Sequence, residues 1–267
     1  MAKKLLMAKS PEEAIGSKTA SDAFIAGGTE VNRLGSDIAG MADGLISLKK
    51  CEGLSGIEKD GGKVRIGAMC TFQSLVESWD IPEYLKEAAL FMASRTKRNM
   101  ATIGGNIAAY RDDSYLLPVL LAVHAELEVL TKDGMKNMSI GSWKKAAEGG
   151  EELLITSVII PEYAGAASKR YANTAQSHAV LTMSAAMTED GISMTGAIKN
   201  YGIVRFSDIE KTFNENENVS EEEIMEMVRE CTGLQLSDDM FGSDAYKRYL
   251  IAVTAYDLHR KLAGKGV

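Results

Sequence analysis

Two short segments carry the residue types best suited to gripping a ligand. "IAGGTEVN", residues 25–32, and "TIGGNIA", residues 102–108, each run from an apolar lead into Gly-Gly and then a small polar residue. Bare backbone at such a turn presents several N–H groups to one anion, because no Cβ blocks close approach and positive φ is allowed. A pyrophosphate suits that arrangement, with Thr29, Thr102 and Asn106 as side-chain donors. A helix expected from about Glu30 would add the favourable end of its dipole. The plainer reading of either pair is a tight turn or a bulge, and the pattern alone does not separate the two.

The remaining chemistry-bearing residues are scattered. His124, His178 and His259 have neither metal-ligand spacing nor a paired acid, so they read as structural or exposed. Cys51, Cys70 and Cys231 form no C-x-x-C pair, which argues against a disulfide frame, a zinc site or an iron–sulfur site. Arg95, Lys97 and Arg98 read first as a solvated face at a helix end, with phosphate or partner contact as the alternative. Tyr171 and Tyr201 read as packing residues. The 14 methionines read as core fillers.

The elements that must position the glycine segments are legible from periodicity. Ser10 and Pro11 start a helix. "DAFIA" is a buried strand ending at Ala26, and "LISLKK" and the run through Val64 and Ile66 are further strands. Thr71 opens a helix bearing Phe72, Leu75 and Val76, and "IPEYLKEAALFMASRT" continues helically. "AELEVLT" alternates as a strand, and "EELLITSVIIP" is a strand closed by Pro161. The small-residue stretch "EYAGAASKR" is the expected boundary between domains. Beyond it come two strands about Asp190-Gly191, or a short helix packed on them, helices at "SDIEKTF" and "SEEEIMEMVREC", and a terminal amphipathic helix with Tyr246, Leu250, Val253 and Leu258 near one face.

Composition bounds the answer. A 267-residue chain that is 45% hydrophobic can bury one large core or two smaller ones. A net charge of −7, spread as mixed charge, recommends neither nucleic acid nor an anionic membrane as partner. No apolar run approaches a membrane span, no signal peptide is read, and the cysteine usage points to a reducing, cytoplasmic compartment. A Rossmann fingerprint and a Walker loop are both absent.

"ASRTKRNMATIGGNIA", with "FIAGGTEVN", "VRIGAMCT" and "YKRYL", resembles the FAD-binding (medium, or flavin) subunit of the xanthine dehydrogenase family of molybdenum hydroxylases, from near residue 5 to residue 262. Within that family the chain looks nearest to flavin subunits of selenium-linked purine hydroxylases and selenate reductases. The resemblance implies an α+β fold with a p-cresol methylhydroxylase-type FAD-binding domain over residues 1–163, in two α+β lobes of about 1–57 and 58–163. A CO dehydrogenase flavoprotein-like C-terminal domain would follow over residues 168–267. It implies FAD contacts at Phe24, Ile25, Ala26, Gly27, Gly28, Thr29, Glu30 and Val31, and at Thr102, Ile103, Gly104, Gly105 and Asn106. Further contacts fall on Met92, Ile155 and Lys169, with flavin between the domains; a lysine beside a flavin stabilises the negative charge of reduction. One departure stands out: where the family carries an aspartate before a proline, "RDDSYLLP" has Tyr115, with Asp112 and Asp113 two or three residues earlier.

The resemblance implies an electron-transfer role in a hetero-oligomer. A subunit with molybdenum cofactor and an iron–sulfur subunit would be the partners, and NAD or another carrier the acceptor. A self-sufficient FAD reductase of the same fold and a flavin-free assembly subunit are the alternatives. No catalytic side chain and no metal ligand is expected in this chain.

Overall fold

The computed structural model describes residues 4–33, 36, 38–162, 165–216 and 218–264. Tyr163 and Ala164, in the stretch expected to separate the domains, lie outside the described residues. The chain divides into two compact units. The first comprises residues 1–82, 94–109 and 124–162; the second comprises residues 83–93, 110–123 and 163–267.

The first unit opens with β1 (Lys4–Met7), α1 (Pro11–Gly16), β2 (Asp22–Ile25), α2 (Ile38–Met41) and β3 (Gly44–Ser47). The strands form a parallel sheet in the order β1-β3-β2. Helix α1 starts where its signals place it: Ser10 Oγ accepts from Glu13 N at 3.1 Å, satisfying an N–H that the helix itself cannot. The helix expected from Glu30 does not form. Residues 29–32 are turns, in which Asn32 N donates to Gly28 O and Arg33 N to Glu30 O. β-branched Thr29 and Val31 beside two glycines lack the propensity to propagate, so the chain makes one turn and leaves.

Next come β4 (Ile57–Asp60), β5 (Lys63–Gly67), α3 (Phe72–Glu77), α4 (Glu83–Leu90), α5 (Arg95–Arg98), α6 (Ile103–Ala109), α7 (Leu117–Ala122), β6 (Glu126–Thr131), β7 (Gly134–Ser139), α8 (Ile140–Glu148) and β8 (Leu154–Pro161). The strands form an antiparallel sheet, β4-β5-β8-β6-β7. The β6–β8 register shifts between Glu128 and Val129, so that Thr156 is bulged out, with its hydroxyl donating to Glu128 O at 3.0 Å. A buried cluster that includes Ile15, Ile46, Leu54, Leu130 and Leu154 joins residues of both sheets.

The second unit gathers α4 and α7 with β9 (Gly165–Tyr171), β10 (Leu181–Thr188), β11 (Gly191–Ile198), β12 (Gly202–Arg205), α9 (Ser207–Glu215), α10 (Glu221–Glu230) and α11 (Asp244–Leu262). Its antiparallel sheet runs β12-β11-β10-β9, and β10 and β11 form the hairpin expected at Asp190-Gly191, with Gly191 at φ 102°. Ser220 and Glu223 cap α10 reciprocally. Helix α11 buries Leu250, Ile251, Ala255 and Leu258, but Tyr246 is 45% exposed, so the buried stripe excludes it.

Candidate functional site

The two glycine pairs meet. In the first unit, the loop after β2, the start of α6, and β8 enclose a cleft of about 280 Å³. Phe24, Ala26, Gly27, Gly28, Thr29, Glu30 and Val31 line it from one side; Thr102, Gly104 and Gly105 from another; Ile155 from β8. The size sits near the lower end of ligand pockets, roughly 300–1,000 Å³, and suits part of a dinucleotide rather than the whole. The loop leaves the carboxyl end of a parallel strand, where open α/β sheets place their ligands.

Each glycine has its own reason. A Cβ on Gly27 would lie 1.6 Å from Met100 O, and Gly28 has φ +78°. On Gly104 a Cβ would lie 2.7 Å from Ala68 Cβ and 2.9 Å from Ala68 O. Here the second pair departs from expectation: Gly104 and Gly105 are not a turn after a strand but the first turn of α6. Thr102 starts that helix, its Oγ1 accepting from Gly105 N at 3.1 Å and its carbonyl from Asn106 N at 2.9 Å. Ile103 N donates to Cys70 O and Gly104 N to Ala68 O. The N–H groups of Gly104 and Gly105 are therefore already spent within the chain, and what these glycines contribute is the missing Cβ. The first pair differs. Among the described residues, the N–H groups of Gly27, Gly28 and Thr29 meet no acceptor, so an anion at this cleft is best received by the β2 loop.

The cleft's remaining wall is apolar: Leu48, Met69, Ala108, Leu153 and Leu154, with Trp143 from α8. These were not foreseen, because they come from five separate places in the chain and, even where Met69 and Ala108 fall inside the quoted segments, neither carries a polar group. Their only sequence signal is apolar character. Glu30 is held by Arg33 at 2.9 Å, which offsets its charge beside the open amides. Ile25, Ile103 and Asn106 stand next to lining residues without lining the cleft themselves.

Met92 and Lys169 belong to the second unit. The Lys169 ammonium is ion-paired with the Asp257 carboxylate of α11. The segment that lacks the family's aspartate is also there. Asp112 accepts from Lys199 Nζ at 2.7 Å and from Asn200 N at 2.8 Å. Asp113 accepts a two-pronged Arg111 guanidinium at 2.7 and 2.8 Å and pairs with His178 Nδ1 at 2.6 Å. Burial alone would raise the Asp113 pKa, but Arg111, Lys199 and His178 outweigh it and hold the carboxyl at about 2. Tyr115 lies under the Arg170 guanidinium, 5.4 Å from its ring centre.

His259 stacks on Phe213 at 4.0 Å, and the Tyr201 hydroxyl donates to Gly233 O. Arg95 pairs with Glu77, and Arg98 Nε donates to Gln73 Oε1. Among the described residues no group of three ligating side chains is placed to hold a metal, and no helix is long and apolar enough to cross a membrane.

Residues 2–163 match the family described as the FAD binding domain in molybdopterin dehydrogenase. The uncharacterised protein YgfM of Escherichia coli is 36% identical over 218 residues, which cover 80% of this chain and 78% of that one. The medium chain of carbon monoxide dehydrogenase from Afipia carboxidovorans is 33% identical over 126 residues, 44% of this chain and 43% of that one. Among solved structures, a chain of carbon monoxide dehydrogenase from Hydrogenophaga pseudoflava superposes with a TM-score of 0.85 at 18% identity, covering 100% of this chain and 99% of that one.

Proposed function

Because this chain belongs to the family of FAD-binding domains in molybdopterin dehydrogenases, we propose that its glycine cleft holds FAD and that the chain is the electron-transfer subunit of a heteromeric molybdenum hydroxylase. The single observation that carries the placement is the convergence of both glycine pairs on one cleft in which only the first pair keeps open amides. The residues present fit the group. Where Gly27 packs on Met100 O no side chain can stand, three N–H groups that meet no acceptor among the described residues suit a diphosphate, and the apolar wall suits a planar ring.

When bound, FAD supplies a carrier that takes electrons singly and releases them as a pair. The chain's own part is to bind and orient that carrier. Gly27, Gly28 and Thr29 would donate to the diphosphate, Gly104 and Gly105 would keep the α6 side open, and Ile155 with its apolar neighbours would exclude water from the ring. Met92 and Lys169 remain within the proposal as the two further contacts the resemblance implies.

Since the chain brings no cysteine cluster, the iron–sulfur centres belong to one partner and the molybdenum cofactor to another, with NAD or another carrier as acceptor and the cytoplasm as compartment. The finer kinship, to flavin subunits of selenium-linked purine hydroxylases or selenate reductases, is part of the same proposal, and the molybdenum partner sets the substrate. Native isolation tests it. The expected result is a complex containing flavin, iron and molybdenum, and a lone chain that takes up FAD and shows flavin absorption. A chain that shows no flavin bands after FAD addition, or a fully active lone monomer, overturns it.

A further inference from the structure

Besides the open amides of the β2 loop, the wall of the cleft holds one buried side-chain polar atom without a partner among the described residues. Trp143 is only 6% exposed and lines the cleft beside Leu153, Leu154 and Ile155. Its Nε1–H is buried and has no acceptor among the described residues. An indole N–H can only donate, and buried donors in folded proteins are almost always matched. The two other buried polar atoms in the same position, Arg170 Nε and Thr182 Oγ1, belong to the second unit, so the orphan at the cleft is a local feature.

We propose that the Trp143 indole N–H donates a hydrogen bond to a ring acceptor, a carbonyl oxygen or ring nitrogen, of bound FAD. This rests on the reading that FAD occupies the glycine cleft. The chemistry favours a ring acceptor over the diphosphate. The open amides that suit an anion lie on the β2 loop, whereas Trp143 comes from α8 and belongs to the cleft's apolar lining with Leu48, Leu153 and Leu154, a surface for a flat apolar face. One donor in such a wall fixes the orientation of a ring that apolar contact alone would let rotate. Both heteroaromatic ends of FAD offer in-plane acceptors.

The chain has two tryptophans, and the other, Trp79, is 94% exposed, so two indole N–H signals report the buried and the solvated case in one spectrum. The experiment is a titration of the ¹⁵N-labelled full chain with FAD. The expected result is a downfield shift of the Trp143 signal with Trp79 unmoved. A like shift with ADP or FMN in place of FAD supports the same donation and tells which end carries the acceptor. Trp143→Phe, which keeps the ring and deletes the donor, is expected to weaken FAD binding roughly 2- to 10-fold. FAD bound to saturation with the Trp143 signal unmoved or shifted upfield overturns the donation and leaves the cleft reading standing. Failure of FAD to bind at all overturns the cleft reading itself. Should Trp143→Phe not fold, the wild-type titration decides alone.

Discussion

At Gly27 a single backbone oxygen dictates the residue. A methyl group there would overlap Met100 O at 1.6 Å, so Gly27→Ala must push the β2 loop away from the segment that leads into α6. The loss is expected at about 1–3 kcal/mol and, since the displaced loop carries the open amides, FAD affinity should fall about tenfold or more. Gly16→Ala, where a Cβ meets nothing within 4 Å, is the control and should leave binding unchanged; the flavin-to-protein absorbance ratio reads both. The sequence treats the four glycines alike, yet hydrogen-bond partners divide them. Hydrogen exchange should therefore slow on FAD addition at Gly27, Gly28 and Thr29, whose N–H groups are open, and change little at Gly104, which already donates to Ala68 O. Equal slowing at both pairs would contradict the division.

Elements announced by a cap or by apolar periodicity were legible, and elements carrying neither were not. The start of α1 at Ser10, of α3 at Thr71 and of α10 at Ser220 could be read because each cap lies within three residues of the N–H it satisfies. The edge strands β4 and β7, each with only one neighbour in its sheet, show little apolar alternation and were missed. Helix α6 was missed because two glycines cost it about 2 kcal/mol of propensity; the Thr102 cap and the burial of Ile103 and Ile107 offset that. Thr102→Ala should accordingly destabilise the fold by about 1 kcal/mol, measurable by urea unfolding. In the second unit the carboxylates before α7 act as a tether: Asp113 binds Arg111 and His178, and Asp112 binds Lys199 and Asn200. Folding holds the Asp113 carboxyl at about 2, below its ordinary 3.8. Its contribution is thus present above pH 4 and lost as pH falls toward 2. The amount is about 2 kcal/mol, and the stability gap between wild type and Asp113→Asn should narrow over that window in denaturant titrations at stepped pH.

For the molecule as a whole, the order of most elements could be read from the sequence, but their grouping could not. Residues 83–93 and 110–123 belong to the same compact unit as residues 163–267, a long-range grouping for which local sequence carries no mark. The cleft, by contrast, lies wholly within the first unit, built by residues from position 23 to position 155. A ligand that needs so many separated segments in place binds the folded chain and not the unfolded one, so mass action must stabilise the fold. At one hundred times its dissociation constant, FAD should add about 2.7 kcal/mol. For a chain of this size that corresponds to a rise in melting temperature of about 5–10 °C, growing with the logarithm of FAD concentration. Scanning fluorimetry read by an external dye checks it. Gly27→Ala, carrying the weaker site, should need at least tenfold more FAD for the same rise, while Asp113→Asn, whose defect lies in the second unit, should start lower and respond to FAD in parallel with the wild type. A melting temperature indifferent to FAD, or an Asp113→Asn variant that loses the response along with Gly27→Ala, would mean that the cofactor is not held by the cleft of the first unit.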